Sequence, residues 1–133
     1  MTGLFHKSIE QKEIIKRKKE LKDLVKDKKY DKVLQIGSEL LEKRPDDLDV
    51  LFIVGSIYYM RGKHKTSISY FDKILDISSY DPETLLLKAN SLFELGQYTE
   101  SIKCCNKIQE IDPKNKAVLE LLSKINTRSK SQD

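Results

Sequence analysis

The histidines and cysteines, whose free side chains titrate nearest neutral pH, are the first candidates for acid–base, nucleophilic or metal chemistry, and there are four: His6, His64, Cys104 and Cys105. Their spacing argues against that chemistry. A general base needs a nucleophile within hydrogen-bond reach, and a zinc site needs three or four N or S ligands around one point. Neither histidine has a Ser, Cys or carboxylate at a spacing that suggests a triad or a ligand set. Cys104 and Cys105 are adjacent in a helical stretch, so their side chains diverge by about 100° and do not pair. With no His or further Cys nearby, they read as small apolar fillers in a reducing cytosol. The five glycines form no phosphate-cradling loop. These residues point to a chain that is not an enzyme and uses no metal or cofactor.

The remaining candidates are cationic. Residues 1–30 hold ten Lys/Arg against five Asp/Glu, while the other 103 hold 15 against 16. The basic character therefore belongs to the first helix, where Lys16-Arg17-Lys18-Lys19 is flanked by Lys12, Lys22 and Lys26. Such a cluster can meet an acidic protein or nucleic-acid phosphate. Glu10, Glu13, Glu20 and Asp23 are interleaved at three- and four-residue steps, which favours an ordinary solvated helix. No aromatic is interleaved to stack on bases. Nucleic acid is disfavoured, and an acidic partner for the first helix stays an alternative.

The elements that must position these residues are helices. Ser8 and Gln11 fit a capping box for a long first helix carrying Ile14, Leu21, Leu24 and Val25. Asp31 is placed to cap a second, which Pro45 stops. Asp46 or Asp47 caps a third, holding Leu48 to Met60, and Gly62 ends it in the left-handed conformation. A fourth runs from about His64 to Ile77. Asp81-Pro82 starts a fifth that closes at Gly96, because proline is preorganised for a first helical turn. Tyr98–Ile111 makes a sixth, ended by Asp112-Pro113. Val118, Leu119, Leu121, Leu122 and Ile125 make a seventh, and residues 128–133 read as a disordered polar tail. The count is seven helices and no convincing strand. The longest apolar run, Val50–Val54, is far short of the roughly 20 residues a membrane span needs, and no secretory leader is evident. The expected location is cytoplasmic.

Two stretches, 48–81 and 82–115, repeat at a period of 34 residues. Leu51 matches Leu85, Gly62 matches Gly96, Ser67 matches Ser101, and Ile74 matches Ile108. A fixed period of this length marks stacked helix pairs. Leu51, Val54-Gly55, Tyr58, Ser67 and Phe71 in one copy, with Leu85, Ala89, Leu92, Ser101, Cys105 and Pro113 in the other, resemble the tetratricopeptide repeat. The resemblance implies an all-α, right-handed superhelical array of antiparallel helix pairs. Residues 1–13 would extend the first helix, 14–47 would be a divergent first repeat, and 116–127 a capping helix. In that first repeat Leu21 replaces the small residue at the helix crossing, and Lys28 replaces the turn glycine. Leu119 and Leu122 are the side chains expected to cover the end of the array.

The resemblance also implies a function: a non-catalytic module binding a peptide or helix of a partner protein in a concave groove. The first helix of each pair would line it, presenting Lys18, Lys22, Phe52, Ile53, Ser56, Tyr59, Met60, Leu86, Asn90 and Phe93. Apolar side chains left on such a face mark a binding surface. Packing of Phe52, Ile53, Leu86 and Leu87 between neighbouring helices is the competing account. Self-assembly into a homo-oligomer, with a second copy covering the groove, is an alternative. Relatives that grip a chaperone's C-terminal carboxylate use Lys, Asn and Arg at positions that here carry Lys18, Lys22, Ile53, Glu83 and Leu87. Only Lys18 agrees, and Glu83 would repel a carboxylate.

Overall fold

A computed structural model describes residues 2–131. It contains seven helices: α1 (Thr2–Lys26), α2 (Tyr30–Lys43), α3 (Leu48–Met60), α4 (His64–Ile77), α5 (Pro82–Glu94), α6 (Tyr98–Ile111) and α7 (Lys116–Ser131). No strand occurs among the described residues. The chain divides into two compact units, Met1–Val54 and Gly55–Asp133, with the division inside α3.

In the first unit α1 packs on α2. Ile14, Leu21, Val33, Ile36, Leu40, Val50 and Val54 are buried, at helical spacing on each element. Leu21 is fully enclosed where the repeat pattern has a small residue. Gly37 of α2 makes a separate close approach to α3, where a Cβ would stand 2.6 Å from Val54 Cγ2. In the second unit α5 packs on α4 and α6, and α7 packs on α5 and α6. Its core joins Leu85, Ala89, Leu92 and Phe93 of α5 to Cys105 and Ile108 of α6 and to Val118, Leu121 and Ile125 of α7. A Cβ at Gly55 would lie 2.8 Å from Phe71 Cε1, so hydrogen is the one side chain that admits the α4 ring.

Three interhelix turns share one hydrogen-bond pattern. Gly62 N–H donates to Tyr59 O and Lys63 N–H to Tyr58 O; Gly96 and Gln97 do the same to Phe93 O and Leu92 O. Lys28 and Lys29 repeat it with Val25 O and Leu24 O. Gly62 and Gly96 have φ of 74° and 77°, and Lys28 is held at 58°. The first turn thus keeps the glycine geometry with a residue that resists it.

Several boundaries differ from the sequence reading. Ser8 does not cap α1, because the helix already runs from Thr2. Asp31 lies inside the first turn of α2 rather than before it; Lys29 holds the cap position and makes no side-chain capping bond. Asp47 and Asp81 do cap, accepting from Val50 N–H and Thr84 N–H at 3.2 Å each. Helix α7 continues to Ser131 instead of ending at 127, held in part by the Arg128 guanidinium 4.8 Å above the Phe93 ring. The last two residues of the expected tail lie outside the described residues. Leu119 is 48% exposed and does not cover the core; Val118, Leu121 and Ile125 do, with Leu122 packed against them.

Candidate interaction surface

In the first unit Lys18 and Lys22 lie on α1, and Phe52 and Ile53 on α3 are half-buried. Lys18 Nζ is 3.0 Å from Asp47 and 3.2 Å from Asp49, and Lys22 Nζ is 4.0 Å from Asp49. Partial burial lowers the Lys18 pKa, but hydrogen bonds to Asp47 and Asp49 outweigh it and raise the value above the ordinary lysine range. The Asp47 carboxylate that caps α3 is therefore also the counter-ion of Lys18. No local spacing reveals this, because the partners stand 29 and 31 residues apart. Arg17 is likewise held, by Glu20 at 2.9 Å and Glu39 at 2.5 Å. Two members of the basic cluster thus serve as internal ion-pair partners.

In the second unit Met60 is 58% exposed, Tyr59, Leu86 and Asn90 are half-buried, and Ser56 is partly covered. The Ser56 hydroxyl is shielded from solvent and meets no hydrogen-bond partner, so it offers no accessible polar atom. Phe93 needs correcting outright. It is 5% exposed, packs in the core, and is flanked by Tyr98 at 5.8 Å and by Arg128. It is no part of an open surface, because α7 turns its guanidinium onto the ring.

His64 organises this region in a way the sequence does not reveal. Its ring meets Tyr59 edge-on at 5.6 Å, and its Nδ1 lies 3.2 Å from the buried Ser91 Oγ. Ser67 Oγ donates to His64 O at 2.8 Å and lies 3.2 Å from Ser91 Oγ. A carbonyl only accepts, so the Ser67 proton is committed to it. Ser91 must then donate to Ser67 and accept from His64 Nδ1–H. The ring closes on itself and ties the end of α3, the start of α4 and the middle of α5 together. A pairing of His with Ser is also the start of a catalytic triad, but here the hydroxyl proton points away from the imidazole, so the histidine cannot act as its base.

A separate cleft of about 520 Å³ opens among α4, α5 and α6. Asp72, Asp76, Glu100, Lys88, Lys103 and Lys107 line it, with Lys88 Nζ 2.6 Å from Asp72 and Lys103 Nζ 3.0 Å from Glu100. Balanced, paired charge leaves no dominant sign to select a small ligand. Cys104 and Cys105 are free and buried. Burial pushes the Cys105 thiol from 9.0 up to about 11, the behaviour of an unreactive packing residue.

Antiparallel helix pairs with small residues at their crossings and a glycine-type turn within each pair define a tetratricopeptide-type domain. The family described as "Anaphase-promoting complex, cyclosome, subunit 3" matches residues 26–108, and the chain belongs to that family. No curated protein matches the chain by sequence. Among solved structures, the first TPR of Spaghetti (RPAP3), bound to the HSP90 peptide SRMEEVD, is similar with a TM-score of 0.77. That match has 17% identity over 86% of this chain and 91% of the other. The Arabidopsis OM64 TPR domain matches at 0.75 with 12% identity over 86% and 95%. The Yersinia enterocolitica translocator chaperone SycD, in an alternative dimer, matches at 0.73 with 14% identity over 87% and 93%. At such identities the likeness is one of fold. No described helix is long and apolar enough to cross a membrane.

Proposed function

We propose that this chain is a non-catalytic interaction module that takes an apolar peptide or helix of a partner protein on the inner side of its second unit. The observation that carries the reading is Met60, 58% exposed at the end of α3 and next in sequence to the half-buried Tyr59. A large flexible thioether held open to water contributes little to the fold and adapts well to an incoming apolar side chain. Leu86 and Asn90 of α5 supply a second apolar contact and a hydrogen-bonding group in the same unit. The His64 ring gives the surface a fixed edge, which lowers the ordering cost of binding. Two unpaired, buried thiols fit a reducing cytosol.

The test is selection of peptides from a random library on the purified chain, followed by affinity measurement with variants. Met60→Glu should weaken selected peptides at least about tenfold, because an unpaired carboxylate would be buried at the contact. Its melting temperature should match the parent, because the site is open to solvent. Full binding by Met60→Glu and by Leu86→Glu would overturn the reading.

A further inference from the structure

Leu119, Ser123 and Asn126 of α7 stand 34 residues after Leu85, Ala89 and Leu92 of α5. In α5 those three positions are 2%, 0% and 5% exposed, covered by helix packing in which Ser101 Oγ donates to Ala89 O at 2.8 Å. One copy earlier Gly55 takes the Ala89 place and receives the Phe71 ring of α4. This line of positions is the seat of the second helix in a pair. The other side of α7 also behaves as α5 does: Asn115 caps it through Val118 N–H as Asp81 caps α5, and Val118 is buried like Thr84. On α7 the seat is open, with Leu119 48% exposed and Ser123 and Asn126 exposed.

Helices α4 and α6 show what such a seat receives. Each buries a small residue, then a bulkier one four positions on, then an isoleucine three further: Ser67, Phe71, Ile74 and Ser101, Cys105, Ile108. Charge narrows the occupant further. Helix α7 carries Lys116, Lys124, Arg128 and Lys130 against Glu120 alone. Lys116 and Lys130 mark its two ends, about 21 Å apart at 1.5 Å per residue. A second α7 would bring the same excess and be repelled. The α4 and α6 helices of a second copy are already engaged within their own unit.

We propose that the outer face of α7 docks an amphipathic helix of a partner protein, built like α4 or α6 but carrying net negative charge. The contact is the helix-in-groove mode, with Leu119 the apolar anchor and Ser123 the point of close approach. It uses none of the residues of the surface around Met60, so either can fail alone.

The experiment uses the full chain and a fluorescein-labelled peptide copying Tyr98–Ile111 with Lys103→Glu and Lys107→Glu. Fluorescence anisotropy should show saturable binding. Leu119→Glu should weaken it at least about tenfold, through the unpaired carboxylate buried at the contact. Lys116→Glu should weaken it less, by a factor that shrinks as salt is raised. Met60→Glu should leave it unchanged. Absence of saturable binding, or equal binding by a Leu119→Glu chain of unchanged melting temperature, would overturn the proposal. Equal affinity for the unsubstituted peptide would overturn its acidic character. A concentration-dependent dimer abolished by Leu119→Glu would show that a second copy covers the face instead.

Discussion

His64 Nδ1 lies 3.2 Å from Ser91 Oγ, 27 residues along the chain and on the neighbouring helix. The proton order around the ring fixes neutral His64 as the Nδ1–H tautomer, which leaves Nε2 as its acceptor. Nitrogen-15 spectra of the imidazole should report Nδ1 as the protonated nitrogen. Ser91→Ala removes both the acceptor of His64 and the donor to Ser67 and should destabilise the chain by about 2 kcal/mol, the net worth of two hydrogen bonds. A spectrum with the proton on Nε2 would break the deduced order.

The α3–α4 crossing is set by one missing side chain. Gly55→Leu drives carbon atoms into Phe71 and Tyr70, where a Cβ alone already approaches to 2.8 and 3.1 Å. Overpacking of this kind costs about 1–3 kcal/mol. A thermal melt indistinguishable from the parent would show that the two helices separate freely.

Lys28 offers the opposite change. Its φ of 58° is one that L side chains resist by about 1–2 kcal/mol. Lys28→Gly restores the residue that the other two turns use, and should raise the melting temperature with no change in helix content. Part of the gain is offset by the greater freedom of glycine in the unfolded chain.

Burial holds the Cys105 thiol protonated to about pH 11, against 9.0 for an ordinary thiol. Between those values the unfolded chain ionises first and the folded chain binds more protons, so stability falls as pH rises. Below pH 9 this contribution is fully present. Cys105→Ala should lose less stability than the parent between pH 8 and 11 in chemical denaturation. Equal slopes would mean the thiol is not the group responsible.

The peptide SRMEEVD, bound by the first TPR of Spaghetti (RPAP3), should not bind this chain. Lys18 is already neutralised by Asp47 and Asp49, and the positions that the repeat resemblance assigns to the clamp's other donors carry Ile53, Glu83 and Leu87 in this sequence. Calorimetric titration should show no saturable heat up to roughly millimolar peptide, the weak end of the affinity scale. Saturable binding would mean that the Lys18 ion pairs open at little cost.

Gly62 and Gly96 at the turns and Asp81-Pro82 at a helix start were legible in the sequence because each acts through its nearest neighbours, and Gly55 at a crossing was legible through its place in the 34-residue period. Backbone sterics and helical spacing depend on residues a few positions apart, so type and order are enough to determine them. The sequence could not say which side chains remain uncovered. Phe93 and Met60 both sit on expected groove faces, yet Phe93 lies under Arg128 while Met60 is open. Leu119 and Leu85 occupy equivalent positions with opposite burial, because one has a helix seated on it and the other does not. Lys18 pairs with two carboxylates some thirty residues away, and His64 with Ser91. Burial and long-range pairing depend on which helix lies beside which, and that is decided only when the helices pack.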